Sequence, residues 1–357
     1  MAIVSGILDK FRLQSSKKFI PMQASLELTY RCNERCTHCY IDDFSDDSKR
    51  VLALEDWTVI LRKLKAAGTL YIILMGGEAM LNHHFFAIAK EASELGMHVS
   101  VITNGLKIKT EQDAIHLKEV GIRFVTFSLY SLDAGIHDQM TAVSGSHART
   151  MRALELCRQQ QLEVGVNCLL TQKNITGFFE LADWCLERKI QIKEDVTVTP
   201  KFNGDMTTVK LAASEDLIRW YFREKSRRWP KGRPLATEEQ AHDYVCNLAK
   251  GKCAITPYGE MLGCIEIRQP LGNLVTQEFS DIWYSQRTQL WRNLKVAEIK
   301  NYTKSQSCEG SFCEHCPGMA LHESGDPMQM TAQSLRLARI KEEIYRENNP
   351  RADSFPV

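Results

Sequence analysis

From residue 24 to residue 199 the chain alternates short apolar runs with stretches whose apolar residues recur every three or four positions. Six short runs read as strands, at 24–29, 71–75, 98–103, 124–129, 164–170 and 191–198. Helical periodicity fills the gaps at 54–67, 82–95, 110–120, 147–161 and 174–188, as in Trp57, Ile60, Leu61 and Leu64. Gly68, Gly96 and Gly121 stand where three of these helices should end. Glycine suits the left-handed residue that closes a helix. Strands alternating with helices imply right-handed crossovers and a parallel sheet. The expected fold class is α/β, a βα barrel or most of one, with its site at the C-terminal ends of the strands.

The pattern changes after residue 199. Residues 1–23 read as a lead-in and 24–199 as the barrel. Residues 200–245 read as a connector with one amphipathic helix, 214–227, and a basic, Pro-broken loop, 228–234, of a kind that is usually a solvated linker. Residues 246–325 hold a second group of cysteines, and 326–357 a closing helix, about 328–348, and a tail.

Composition narrows the function classes. The chain has 357 residues and a net charge of +1, so no charge excess points to nucleic acid as the main partner. No apolar run is long enough to span a membrane. The first ten residues lack the features of a signal peptide. Twelve cysteines, clustered in two groups, then point to a reducing cytoplasm and metal ligation rather than disulfides. Cys157, Cys168 and Cys185 fall outside the groups in apolar periodic segments and read as core residues.

The first group is the most informative feature. Cys32, Cys36 and Cys39, followed by Tyr40, form a C-x3-C-x2-C run directly after the first strand. Iron–sulfur cubanes are normally held by four thiolates; three thiolates on one loop hold three irons and leave the fourth open. Zinc is the alternative, with His38 as a further ligand, although structural zinc usually recruits two close pairs. The run resembles the signature of the radical S-adenosylmethionine (radical SAM) enzymes. The resemblance implies a partial (β/α)6 barrel of TIM type and a [4Fe-4S] cluster whose open iron is chelated by the amino and carboxylate groups of SAM.

The resemblance extends to the expected strand ends. Gly76-Gly77-Glu78 after the second strand is similar to the motif that binds the SAM amino group, although Met75 and Ala79 replace the usual Thr and Pro. The two glycines should let backbone approach a ligand closely. Asn104 after the third strand and Ser128 at the end of the fourth are placed, by the same resemblance, to bond the ribose or carboxylate. Arg149 is a candidate partner for the SAM carboxylate, since a guanidinium suits a bidentate anion; an exposed arginine at a helix start is the competing reading. Tyr40 is expected to lie against the adenine.

The second group comprises Cys246, Cys253, Cys264, Cys308, Cys313 and Cys316. With Gly259, separated from Cys264 by four residues, and with Gly272-Asn273-Leu274 and Asp281-Ile282-Trp283, it is similar to the SPASM extension, which carries auxiliary iron–sulfur clusters. Two four-cysteine clusters need eight ligands and six are present. Ser305 stands where the family often has a further cysteine, and the closing helix, near Leu335, holds none. The simplest partition gives one auxiliary cluster Cys246, Cys253, Cys264 and Cys316. Cys308 and Cys313 are then remnants of a second cluster, or help hold one completed by a ligand such as His315.

What the resemblance implies is reductive cleavage of SAM to a 5′-deoxyadenosyl radical that abstracts hydrogen from substrate. A flavodoxin- or ferredoxin-type donor would supply the electron. The expected substrate is a ribosomally made precursor peptide, modified by an oxidative cross-link or related C–H functionalisation. Since the barrel begins by residue 24, a leader peptide would be read by a separate recognition protein or by the barrel mouth. A radical SAM enzyme of a haem or other cofactor precursor is the second expectation. A non-catalytic iron–sulfur or zinc protein is the third. Glu194, Asp195 and Lys201, near the last strand end, either face the substrate or are ordinary surface charges.

Overall fold

The structure, a computed structural model, describes residues 14–42, 49–229, 245–299 and 315–348. Cys308, Cys313, Ser305, the first ten residues and most of the 228–234 loop lie outside the described residues. Within them the expected alternation appears as six parallel strands: β1 (Gln23–Glu27), β2 (Tyr71–Met75), β3 (His98–Thr103), β4 (Ile122–Ser128), β5 (Glu163–Leu169) and β6 (Gln191–Asp195). Helices α1 (Leu54–Ala66), α2 (Phe85–Glu94), α3 (Glu111–Glu119), α4 (Ala134–Thr141), α5 (Ser146–Gln159) and α6 (Phe178–Glu187) connect them. The helix expected at 174–188 opens instead as a short 3-10 turn, Ile175–Gly177, before α6. The sixth strand stops at Asp195 rather than 198, because Thr197 turns back to donate to the Asp195 carboxylate at 2.8 Å. α4 was not expected: its eight residues give too short a window for the 3.6-residue period to register.

Strand parity sorts the side chains. Ala24, Leu26 and Leu28, with Ile72, Leu74, Val99, Val101, Val125 and Phe127, belong to the apolar core under the helices. Trp57, Ile60, Leu61 and Leu64 of α1 are fully buried there, as the helical period predicts. Gly68, Gly96 and Gly121 all take positive φ after their helices. Cys157, Cys168 and Cys185 lie in the same core. The alternate positions on the strands, such as Gln23, Ser25 and Glu27, face the lumen of the partial barrel.

The C-terminal segment does not stand apart from this sheet. β7 (Lys252–Ile255) pairs in parallel with β1, β8 (Glu260–Leu262) pairs antiparallel with β7, and β9 (Gly272–Asn273) follows. One nine-stranded sheet results, in the order β6-β5-β4-β3-β2-β1-β7-β8-β9. The reason is the free edge of β1: its backbone groups need partners, and β7 supplies them. α7 (Glu215–Arg228) and the closing helix α11 (Ala332–Asn348) pack together, joined by Arg219–Glu343 and Arg223–Glu347 ion pairs. α8 (Phe279–Trp283), α9 (Gln286–Arg292) and α10 (Pro317–Ser324) complete the C-terminal part. Among the described residues no helix is long and apolar enough to cross a membrane.

Leu26 sits between Leu74 of β2 and Ile255 of β7 and is fully buried. Truncation there leaves a cavity at the seam of both halves. Leu26→Ala is therefore expected to cost about 2–5 kcal/mol in urea unfolding, whereas a cost near zero would contradict the shared sheet.

Candidate functional site

The loop leaving β1 carries Cys32, Cys36 and Cys39, all half-buried with free thiols. It is held from two sides. Beneath it, Arg35 N donates to Thr141 O at 3.1 Å and Thr37 N to Met140 O at 2.8 Å, so the unexpected helix α4 is the floor of the loop. Within it, Glu34 N and Asn104 Nδ2 approach the Cys32 sulfur at 3.4 and 3.9 Å. Such donors to sulfur are the surroundings of a cluster-bound thiolate. Burial pushes the Cys32 thiol up to about 11 and raises Cys36 and Cys39 as well, with neighbouring thiols adding to the shifts of Cys32 and Cys36. Metal binding must therefore displace protons here. Among the described residues no three His, Cys, Asp or Glu side chains converge on one ion position. A cubane spreads its ligands over separate irons, and three thiols sharing one half-buried loop fit that group.

Glu34 is a residue the sequence reading passed over, since a charged loop residue normally faces water. It is 3% exposed; its Oε2 accepts from the Cys36 thiol at 3.5 Å and its Oε1 has no hydrogen-bond partner. Burial raises its carboxyl to about 7. His38, next along, keeps Nδ1 buried and unpartnered and sits edge-on to Tyr130 at 4.6 Å. Burial lowers its pKa to about 4, so it is neutral at physiological pH.

The Gly76-Gly77-Glu78 turn after β2 locks onto the same loop. A Cβ at Gly76 would lie 2.2 Å from Thr29 O, and one at Gly77 would lie 2.5 Å from Arg31 O. Gly77 N donates to Thr29 O at 2.8 Å and Glu78 N to Arg31 O at 2.9 Å. The close approach that the glycines permit is thus to the chain's own cysteine loop. Glu78 is 1% exposed and accepts from Met80 N, Thr103 Oγ1 and Asn104 N, tying the ends of β2 and β3 together. Burial raises its pKa even so.

Asn104 reaches across to Asn33 Oδ1 at 2.7 Å, directly over the cysteine loop. Ser128 ends β4, half-buried, and bonds Tyr130. Tyr40 lies against Phe202 at 4.9 Å, its hydroxyl pKa driven up by burial. Arg149 is exposed at the start of α5 and donates to Gly145 O and Ser144 O; its charge also reaches Glu34. Of the three charged residues near β6, Glu194 faces outward to Tyr221 and Lys225, and Lys201 pairs with Asp205. Asp195 instead lines a cavity of about 210 Å³ together with Glu266, His315 and Cys316.

In the C-terminal part, Cys246 and Cys316 each feel the charge of Cys264. Leu248 N bonds the Cys246 sulfur, while Gly318 N and Met319 N bond that of Cys316, at the start of α10. Cys253 stands apart, on β7 in the apolar core. Glu266, beside this group, is raised to about 7, mainly by burial and then by Asp195. Four residues past Cys264, Arg268 makes a two-pronged bond to Glu27 of β1 at 2.9 and 3.0 Å. Its guanidinium also stacks on Phe202 at 3.9 Å, the ring that Tyr40 touches. The pair is nearly dry, at 15% and 2% side-chain exposure.

Comparison with known proteins agrees with this geometry. The Radical SAM superfamily matches residues 26–188, and the SPASM iron–sulfur cluster-binding domain matches 246–317. An AdoMet-dependent heme synthase of Oleidesulfovibrio alaskensis is 22% identical over 85% of this chain and 84% of its own. A PqqA peptide cyclase of Bradyrhizobium diazoefficiens is 25% identical over 47% of this chain and 44% of its own. Among solved structures, Streptococcus suis SuiB bound to precursor peptide SuiA superposes with a TM-score of 0.66 at 18% identity, covering 91% of this chain and 79% of that one. The protein anSMEcpe with bound AdoMet gives 0.65 at 14% identity over 92% and 100%. At these identities the structural likeness speaks for the fold.

Two substitutions probe the site. Gly76→Ala places a side chain at φ +140° against Thr29 O and is expected to cost at least about 1–3 kcal/mol, read by urea unfolding; an unchanged midpoint would mean the turn is not locked to the cysteine loop. Arg268→Ala strands a buried carboxylate and is expected to cost about 3–5 kcal/mol. Pairing it with Glu27→Gln should recover part of that loss, and a strictly additive double variant would deny the coupling.

Proposed function

The chain is a radical SAM protein with a SPASM domain, and from that premise we propose that it modifies a ribosomally made peptide, by an oxidative cross-link or a related C–H functionalisation. The protein uses SAM, a [4Fe-4S] cluster and SPASM auxiliary iron–sulfur clusters. When bound, SAM and the cluster supply the 5′-deoxyadenosyl radical that takes hydrogen from an unreactive C–H bond. Cys32, Cys36 and Cys39 would hold that cluster. The turn at Gly76–Glu78 and the Asn104 loop would shape the SAM seat, with Ser128, Tyr40 and Arg149 around its rim.

The observation that carries the peptide reading is the open side of the barrel. Among the described residues the sheet ends at β6, whose lumen-facing Gln191, Lys193 and Asp195 are exposed, Asp195 on a cavity it shares with Glu266, Met319 and Lys341. A side-open lumen with a polar edge suits an extended chain, whereas a small molecule is normally enclosed. Likeness of fold to a SuiB structure with a bound precursor peptide supports the same reading. A second reading, a haem-pathway substrate, is favoured by a different fact: the relative matched over most of both chains is a heme synthase, while the peptide cyclase is matched over less than half. Cytoplasmic location and a flavodoxin- or ferredoxin-type donor belong to this proposal, as does a separate leader-recognition protein.

Co-expression with each short open reading frame beside the gene, followed by peptide mass spectrometry, separates the readings. The expected result is loss of two hydrogens from one peptide, dependent on Cys32, Cys36 and Cys39. Unchanged peptides with turnover of an iron porphyrin precursor would favour the haem reading. Cys264→Ala is expected to keep deoxyadenosine formation and lose most product; undiminished product would contradict a redox role for the C-terminal part.

A further inference from the structure

Of the four cysteines at 246, 253, 264 and 316, Cys253 is turned away from the other three. β7 pairs with β1 in the register Lys252↔Gln23, Cys253↔Ala24, Ala254↔Ser25 and Ile255↔Leu26. In a strand, successive side chains point to opposite faces. Ala24, Leu26, Cys253 and Ile255 are all members of the apolar core. Cys253 is 3% exposed among them, and burial is the sole cause that raises its thiol. Lys252 is on the other face, the one that looks into the barrel.

The remaining three cysteines lie near one another. β8 returns along β7 with Leu262 opposite Ala254 and Met261 opposite Ile255. Past Leu262 the chain leaves β7, and Gly263 O accepts from Ala249 N at 3.2 Å. Directly opposed residues share a face, so Leu262, two residues before Cys264, lies on the side away from Cys253. The charge of Lys252, which looks into the barrel, reaches both Cys246 and Glu266. Cys264 in turn perturbs Cys246 and Cys316. Backbone N–H groups already point at the sulfurs of Cys246 and Cys316. For Cys253 to join them, β7 would have to rotate by half a turn, drawing Ile255 out of the core and breaking its pairing with β1.

We infer that the auxiliary iron–sulfur cluster is seated on Cys246, Cys264 and Cys316, and that Cys253 is a core residue and not a ligand. The inference rests on the iron–sulfur reading of the C-terminal part and is independent of the substrate. It leaves the seat with three thiolates among the described residues. The fourth iron then takes a ligand other than Cys253.

The test is iron and sulfide content, with EPR of the reduced cluster, in full-length protein carrying Cys32→Ala, Cys36→Ala and Cys39→Ala, so that only auxiliary iron is counted. In that background Cys253→Val is expected to keep the full auxiliary iron content and an unchanged EPR spectrum. Cys253→Ala serves as a second variant should valine overfill the core. Cys264→Ala is expected to lose most of the iron. Loss of iron and signal in both Cys253 variants, with their thermal unfolding unchanged, would overturn the inference. A parent that binds no auxiliary iron at all would instead overturn the iron–sulfur reading on which it rests.

Discussion

Everything that matters in this molecule is attached to one strand. β1 is hydrogen-bonded along both edges, to β2 on the barrel side and to β7 on the C-terminal side. Its outward residues, Ala24, Leu26 and Leu28, anchor the core, and its last lumen residue, Glu27, grips Arg268. The first cysteine of the loop, Cys32, stands five residues beyond the strand's end. A strand paired on both edges cannot slip by one residue without exchanging its core and lumen faces. The position of the cysteine loop is therefore fixed by the same contacts that hold the barrel and the C-terminal part together.

The candidate site is then built by backbone interlock more than by side chains waiting for ligand. The turn at Gly76–Gly77 lies so close to Thr29 and Arg31 that any side chain would collide with a carbonyl. Glu78 spends its oxygens on Thr103 and Asn104. α4 supports the cysteine loop from below through two backbone hydrogen bonds. Pre-set loops of this kind position a ligand without reorganisation when it arrives. The dry Glu27–Arg268 pair, stacked through Phe202 toward Tyr40, links that arrangement to the segment after Cys264.

Much of this was legible in the sequence because periodicity and thiol spacing are local signals. β2 and β3 fall where the apolar runs place them, and Gly68, Gly96 and Gly121 end helices as their backbone freedom suggests. What was not legible depends on partners distant in sequence. β7 becomes a strand because β1 has a free edge, and its four residues carry little period of their own. Glu34 is buried where segments distant in sequence meet, with the charges of Glu78, Asp138 and Arg149 all reaching its carboxyl, which no neighbour in sequence announces. Cys253 looked like a ligand by spacing; the register of β7 against β1 turns it to the core, a fact that exists only once the strands are paired. The same holds for Glu194 and Asp195, adjacent residues sent to opposite faces of β6.

The central claim is that the loop from β1 and the turn after β2 together make a site that binds an open cluster and SAM on one another. Anaerobic reconstitution, reduction with dithionite and titration with SAM, followed by EPR and by assay for 5′-deoxyadenosine, tests it without knowledge of the substrate. The account predicts a [4Fe-4S] signal that shifts when SAM is added and 5′-deoxyadenosine that forms only with both SAM and reductant. A cluster signal indifferent to SAM, with no 5′-deoxyadenosine, would contradict it.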